Sequence, residues 1–229
     1  IAQFEEAVGL DPTYAPAFSG LSDAYLWAGF NEGVLTASEA RPKAKAAAEK
    51  AIALDDKSAE AHTSLAVFKL FYEYDWAGSE VEFRRAFALN PNYAFAHDQF
   101  GMALAFQGRL DEAIAEGKRA AELDPLSPQI PLDANVGIAW QGKYQAAKDQ
   151  ARRAAALDPT YFFAPYQAGW IDLQAGKVHD AIPEFRKAKT MVRLRVITGR
   201  DEPHCWHYSA IEAAAASGCG TTKRPPRWC

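Results

Sequence analysis

The sequence predicts an all-α fold built from repeated pairs of helices, and three observations carry this prediction. Hydrophobic residues make up 49% of the chain, and many of them are alanine, which suits closely packed helices better than a β-sheet core. A short phrase that ends helices recurs along the chain with a fixed step. A glycine that ends helices recurs with the same step. Two independent markers with one period indicate a repeat array.

The recurring phrase is a leucine followed by Asp or Asn and then proline. Its last three copies begin at Leu89, Leu123 and Leu157, each 34 residues after the previous one. Earlier versions begin at Leu10 and at Leu54, where Asp56 stands in place of the proline. Because proline cannot continue a helix and Asp or Asn favours its ends, each phrase predicts the end of one helical pair and the start of the next.

The glycines predict the turn inside each pair. Gly108, Gly142 and Gly176 follow an apolar helical stretch and are again 34 residues apart. Glycine adopts a left-handed backbone without steric cost, so it commonly ends a helix. Each repeat is therefore predicted to contain a first helix, a glycine turn and a second helix.

A 34-residue helical pair with small residues at fixed places resembles the tetratricopeptide repeat (TPR) family. In the unit that starts at Ala94, the family's small and proline positions carry Gly101, Ala113, Ala120 and Pro125. The large phenylalanine that the family often carries is met by Phe4, Phe83 and Phe185. The resemblance implies a right-handed TPR α-solenoid that binds other proteins.

Two lengths depart from the 34-residue period. The step from Leu10 to Leu54 is 44 residues, and the ten extra residues are expected in the inter-helix loop at 31–36. The step from Leu54 to Leu89 is 35 residues, and the extra one is expected near 72–78. The predicted organisation is a TPR array over 1–192, with a truncated first unit and then units near 15–56, 59–91, 94–125, 128–159 and 162–192. It is followed by a partial repeat helix and an irregular tail over 193–229.

The long first loop, followed by a Tyr-Asp-Trp turn, resembles the TPR region at the C-terminal end of bacterial multidomain regulators. Such regulators join their repeats to a winged-helix, nucleotide-cyclase or kinase domain. This resemblance implies a scaffold or sensing role in signalling or transcription regulation. Because the sequence starts at Ile1, inside a predicted helix, we expect it to be part of a longer protein. The expected location is cytoplasmic, or extracytoplasmic if a membrane span precedes the repeats.

The candidate binding surface is the inner face, meaning the surface that the first helix of each pair turns toward the concave side of a TPR array. Residues counted onto this face from the TPR resemblance are aromatic, apolar or acidic, which suits a peptide with apolar anchors and a basic residue. They are Asp23, Trp27, Phe71, Asp98, Met102, Phe106, Asp133, Trp140, Tyr166 and Trp170. The alternative interpretation is that these aromatic residues pack on the next helix as core.

Motifs for catalysis or cofactors are not found, so no enzyme activity, cofactor or metal site is expected. His62, His97 and His179 fall in different repeats, with no acidic or thiol partner at a fixed helical step. The spacing of Cys205, Cys219 and Cys229 does not form the two close pairs that zinc sites require.

Charge and hydropathy restrict the partners. The net charge is −4, and Lys and Arg are scattered among Asp and Glu, which disfavours direct binding to nucleic acid. No segment is apolar and long enough to span a membrane, so no membrane contact is expected. The expected partner is a protein or peptide. Two alternatives stay open: self-association through an end repeat, and an accessory role beside a catalytic domain elsewhere in the protein.

Overall fold

The computed structural model describes residues 1–30 and 35–197, and within them every regular element is helical. The described residues form eleven α-helices and one π-helical segment, Lys69–Glu73, which directly continues α4. The α-helices are α1 (Ala2–Leu10), α2 (Ala15–Phe30), α3 (Ala37–Leu54), α4 (Ala59–Phe68), α5 (Trp76–Leu89), α6 (Ala94–Phe106), α7 (Leu110–Leu123), α8 (Ile130–Trp140), α9 (Tyr144–Leu157), α10 (Phe163–Gln174) and α11 (Val178–Ile197).

The helices belong to two compact units, Ile1–Gly137 and Ile138–Cys229, and the division falls within α8. In the first unit, α2 packs on α3, α4 on α5, and α6 on α7. In the second unit, α10 packs on α11. Consecutive helices therefore form the pairs that the repeat predicts. The predicted tail over 193–229, with its three cysteines, lies outside the described residues except for the helical backbone up to Ile197.

The predicted glycine turns are confirmed. Gly108, Gly142 and Gly176 have φ angles of +77°, +75° and +75°, in the left-handed region. After Gly108, the N–H of Arg109 donates to the carbonyl oxygen of Leu104 at 2.9 Å, which satisfies a carbonyl that the end of α6 leaves without a partner.

The one-residue insertion lies at the N-terminal edge of the predicted range 72–78, within the end of the first helix and not in the turn that follows it. Tyr74 has φ +54° and stands 34 residues before Gly108, so it occupies the place of the turn glycine. The extra residue therefore precedes Tyr74, in the π-helical segment Lys69–Glu73. A π-helical turn bonds each N–H to the carbonyl five residues earlier, and it accommodates one residue more than an α-helical turn. The Tyr74 N–H bonds to Lys69 in this way.

The ten-residue insertion is also distributed differently from the prediction. Helix α2 has 16 residues and α3 has 18, against 13 in α6 and 14 in α7. Seven of the ten extra residues therefore lengthen the helices, and three lengthen the connection between them. Residues 31–34 of this connection lie outside the described residues. The start of α3 is fixed by a capping box, because Thr36 and Glu39 each bond the other's backbone N–H.

Small residues and phenylalanine fill the space between paired helices, as the TPR resemblance implies. Ala113 and Ala120 are 4% and 0% exposed, and Phe83 and Phe185 are 0% and 1% exposed. Phe4 differs, since it is 39% exposed on α1. In the second unit, Lys148 Nζ on α9 bonds the buried Asp172 Oδ2 on α10 at 2.7 Å.

Replacing Tyr74 with glycine should stabilise the protein by about 1 kcal/mol, because glycine removes the cost of a left-handed backbone. The reciprocal change, Gly108→Tyr, should destabilise by a similar amount, since a Cβ there meets no atom within 4 Å and only the backbone angle opposes it. Urea unfolding midpoints measure both changes. Tyr14→Gly is the matched control, because Tyr14 is exposed and has an ordinary φ angle. Destabilisation by Tyr74→Gly equal to that by Tyr14→Gly would contradict the strain at Tyr74.

Candidate functional site

Three of the predicted inner-face aromatics form a continuous row in the first unit. The rings of Trp27 and Phe71 meet edge to face with centroids 5.6 Å apart. Those of Phe71 and Phe106 meet in the same way at 5.9 Å. Each residue comes from the C-terminal half of a first helix or its π-helical extension, so the repeat places them side by side. We call Trp27, Phe71 and Phe106 the aromatic row.

The aromatic row combines core packing with exposure. Phe71 packs against the main hydrophobic core of the first unit. Trp27 and Phe106 are 38% and 36% exposed, so more than a third of each residue is accessible to solvent. The two interpretations of these aromatics thus apply to different members of the row. The middle ring is anchored, and the outer rings present apolar surface.

Trp76 also belongs to this surface, although its position in the sequence does not predict it. Its ring lies 6.2 Å from that of Phe106 in a T-shaped arrangement, and it is 38% exposed. Trp76 is the first residue of a second helix, which the count of first-helix positions leaves out. Because Trp76 follows the turn at Tyr74, its ring lies at the Phe106 end of the aromatic row.

The predicted acidic residues stand on the same helices, nearer the N-terminal ends. Asp23 precedes Trp27 by four residues on α2, and Asp98 precedes Met102 by four and Phe106 by eight on α6. Residues at these steps share one face of a helix. The carboxyl groups and the aromatic rings therefore lie along the same face of their helices, with Asp98 buried.

Asp98 and Asp133 come together at a crevice between α6, α7 and α8. Its lining is otherwise small or flexible: Gly101, Met102, Ala113, Gly117, Ala134 and Gly137. Gln99 Nε2 donates to Asp98 Oδ2 at 3.1 Å, and Gln129 Nε2 donates to Asp133 Oδ1 at 2.7 Å. Asp98 is 3% exposed, and no N–H or hydroxyl donor of the described residues reaches its Oδ1 atom.

This environment favours the protonated forms of the two carboxyls. Burial, together with the adjacent charge of Asp133, raises the pKa of Asp98 well above its ordinary value. Burial also raises the pKa of Asp133 to about 6, against the opposing hydrogen bonds from Gln129 and Asp98. Two carboxyls so close do not both ionise easily, so they share a proton.

Asp23 is a third carboxyl with a shifted titration. Burial raises its pKa to about 7, although a hydrogen bond from Ser64 lowers it in part. Its Oδ1 atom is buried without a hydrogen-bond donor from the described part of the chain. Perturbed carboxyls on a surface with exposed aromatics are typical of functional sites, although structural networks also produce them.

The remaining predicted residues belong to the second unit. Tyr166 and Trp170 contact the buried Phe185, with ring centroids 5.8 Å and 6.4 Å from it, and both pack against its core cluster. Trp140 is 46% exposed. Packing thus accounts for Tyr166 and Trp170, whereas Trp140 presents a large apolar surface.

No protein-family model and no curated protein matches this sequence. Solved structures do match it. PilF of Pseudomonas aeruginosa is 19% identical with a TM-score of 0.60, over 91% of each chain. PilW, described as a widely conserved type IV pilus biogenesis factor, is 19% identical with a TM-score of 0.63, over 89% of this chain and 93% of that chain.

TTC0263, a thermophilic TPR protein of Thermus thermophilus, is 19% identical with a TM-score of 0.64, over 86% of this chain and 97% of that chain. The fold is TPR-like. In the TPR-like arrangement of this chain, the aromatic row and the three carboxyls all belong to first helices or their direct extension.

Two histidines have acidic partners that the sequence pattern does not predict. His62 Nδ1 lies 2.8 Å from Glu82, and His97 Nδ1 lies 2.6 Å from Glu116, in each case on the second helix of the same TPR-like pair. The other ring nitrogen of each lies 3.0 Å from a backbone carbonyl oxygen. With both nitrogens engaged, these histidines tie helices together and offer no nitrogen to a substrate. His179 is exposed.

Residues 1–30 and 35–197 contain no group of three side chains arranged to hold a metal ion. None of the helices in the same residues combines the length and the apolar character that a membrane span requires.

Stability should fall as the pH rises from about 4 to about 7. The unfolded carboxyls ionise near their ordinary pKa of 3.8, whereas Asp133 and Asp23 keep their protons in the folded protein up to about pH 6 and 7. The stability that these protons contribute is fully present below pH 3.8. It is lost as the pH rises through the pKa values of Asp133 and Asp23 in the folded protein. Asp98→Asn should raise the melting temperature at pH 8 more than at pH 4, because an amide donates to Asp133 without a charge.

Differential scanning calorimetry between pH 4 and 8 measures this dependence. The dependence should be reduced in the Asp98→Asn variant and not abolished, because Asp23 still titrates. Asp180→Asn, at an exposed aspartate, is the control and should follow the parent protein at every pH. Parallel curves for Asp98→Asn and the parent would show that the carboxyl pair does not share a proton.

Proposed function

We propose that the chain is a protein–protein interaction module that binds a peptide segment of another protein on its inner face. The observation that carries this proposal is the aromatic row, which leaves more than a third of Trp27 and of Phe106 exposed beside buried carboxyls. Partly exposed aromatic side chains that pack on the protein core commonly anchor protein interfaces. The general use of TPR-like folds in protein binding and scaffolding supports this role, and a catalytic role has no comparable support.

The shape and charge of this surface favour a particular ligand. Edge-to-face rings at 5.6 Å and 5.9 Å leave apolar edges against which a partner's aliphatic or aromatic side chain packs. The carboxyls lie one or two helical turns from the rings, so a basic residue of the ligand lies about 6–12 Å from its apolar anchor. A short segment with one apolar residue and one basic residue matches both the aromatic rings and the carboxyl groups.

The resemblance to the TPR regions of bacterial regulators extends this proposal to a scaffold or sensing role within such a protein. The upstream sequence of the intact gene tests that extension. A winged-helix, cyclase or kinase domain there supports it, and an unrelated domain contradicts it without affecting the proposal for the inner face.

Truncating the aromatic row should weaken binding. A displayed library of random 12-residue peptides, selected on the whole chain, supplies the probe peptide. Phe106→Ala should weaken the selected peptide by about 30-fold or more, the loss of about 2 kcal/mol expected at a hot spot. Fluorescence polarisation measures the affinity, and circular dichroism checks that the variant is folded.

Phe4→Ala is the matched control, because Phe4 is equally exposed at 39% but lies on α1, a second helix. It should leave the affinity unchanged. Sedimentation at several protein concentrations excludes self-association as the source of the signal. Equal binding by the parent, Phe106→Ala and Phe4→Ala would show that the aromatic row is packing alone.

A further inference from the structure

Two consecutive TPR-like pairs carry the same histidine arrangement. His62 on α4 and His97 on α6 are 35 residues apart, which is the step from one of these units to the next. The Nδ1 atoms face glutamates of the second helices, Glu82 on α5 and Glu116 on α7. Each Nε2 atom faces the carbonyl oxygen six residues earlier, in the turn before the first helix, at 3.0 Å. We call each histidine with its glutamate and this carbonyl oxygen a histidine clamp.

Both oxygens around each ring are hydrogen-bond acceptors, because a carbonyl oxygen and an ionised carboxylate have no proton to donate. Burial opposes the ionisation of Glu82, but hydrogen bonds from Lys69 and His62 outweigh it and lower the pKa of this carboxyl. A neutral imidazole offers one N–H and one lone pair, whereas an imidazolium donates from both nitrogens. The side chains of His62 and His97 are 10% and 12% exposed, so water has little room to replace a missing donor. Each clamp is therefore complete only when its ring carries two protons.

We propose that the two histidine clamps are pH-sensitive joints, which hold the turn, the first helix and the second helix together while the imidazole is charged and loosen when it loses a proton. A neutral ring turns a lone pair toward either the carboxylate or the carbonyl oxygen, and a buried acceptor left without a donor is costly. The His97 clamp holds the N-terminal half of α6, the helix that carries Phe106, more firmly at lower pH. The clamps act on the fold, whatever ligand binds the inner face.

The clamp at His62 keeps one ionic contact after its ring loses a proton. Lys69 Nζ, in the π-helical segment, also bonds Glu82 on α5, at 2.7 Å. Glu60 on α4 accepts a hydrogen bond from the N-cap serine of the same helix and so has a donor of its own. The turn contributes the backbone carbonyl of Asp56, whose side chain is exposed. Because the lysine holds Glu82 in either state of His62, this clamp should loosen less than the other.

The clamp at His97 depends on its proton more strongly. Among the residues that the structure describes, no second donor reaches Glu116. Arg119, further along α7, bonds the turn before α6, and Asp98, the next residue on α6, belongs to the crevice with α7 and α8. From α5, the ring of Phe87 stacks on His97 with centroids 4.5 Å apart, and an aromatic face favours a cation. Loss of the proton therefore leaves either Glu116 or the turn without its donor.

The chemical shifts of the ring nitrogens test the charge of each histidine directly. Nitrogen-15 NMR of the whole chain from about pH 5 to 9 distinguishes the imidazolium from the neutral ring, and the variants His62→Gln and His97→Gln assign the signals. His179 on α11 is exposed and is the control within the same molecule. His62 and His97 should keep both ring protons at the pH at which His179 has lost one. Deprotonation of a clamp histidine at or below the pH at which His179 titrates would overturn that clamp.

Glu116→Gln separates the charge of the clamp from its shape. The glutamine amide donates to Nδ1, so a neutral His97 ring that donates from Nε2 to the carbonyl oxygen of Pro91 satisfies every partner. In this variant, His97 should lose its proton at a lower pH than in the parent protein, while His62 should titrate as before. Glu6→Gln, at an exposed glutamate of α1, is the control and should change neither ring. An unchanged titration of His97 in Glu116→Gln would contradict a clamp that depends on charge.

Urea unfolding of the parent and of Glu116→Gln, followed by circular dichroism at several pH values, measures the effect on the fold. Below the pH at which an exposed histidine titrates, the folded and unfolded parent both hold the His97 proton, so the contribution of the clamp is fully present. Above that pH, unfolding releases the proton that folded His97 retains, so the stability of the parent falls as the pH rises. The urea midpoint of the parent should therefore fall relative to that of Glu116→Gln. Parallel midpoints would show that His97 packs without acting as a pH-sensitive joint.

Discussion

Close approach of paired helices at small side chains is the constraint on which the other features depend. A Cβ atom added at Gly101 would lie 3.2 Å from the carbonyl oxygen of Ala113, and one at Gly117 would lie 2.7 Å from the Cβ of Ala134. At such distances, no larger residue fits without moving a helix. The alanine-rich composition is therefore the condition for packing α6, α7 and α8 so closely.

The same closeness creates the unusual electrostatics. Because small residues bring α6, α7 and α8 together, Asp98 and Asp133 meet in a space from which water is largely excluded. Their burial opposes ionisation, and glutamine amides orient them without neutralising them. Larger residues at Gly101 or Gly117 would separate the helices and return both carboxyls to solvent. The packing and the chemistry of the crevice thus have one origin.

The sequence predicts features that depend on local geometry and misses those that depend on contacts between helices. The turns at Gly108, Gly142 and Gly176 follow from the backbone freedom of one residue type, and the helix pairs follow from the period. The row of Trp27, Phe71 and Phe106 is found by counting repeat positions. Trp76 is missed because it begins a second helix. The glutamates that bond His62 and His97 are missed because they lie 20 and 19 residues away in the sequence. The sequence assigns both insertions to connections, whereas helices absorb most of them, because a length difference does not reveal whether a helix or a loop takes up the extra residues.

The π-helical segment has a consequence for how such a chain can change over time. The first helix contains one added residue, and Phe71 still contacts Phe106. Tyr72 is then an additional side chain. Its hydroxyl donates to the carbonyl oxygen of Leu26 at 3.4 Å. Gly29 leaves room for this tyrosine on α2. The units that follow keep their 34-residue period. A single unit can thus acquire a residue, and a new contact with its predecessor, while later units retain their spacing, so a repeat protein can modify its binding surface one unit at a time.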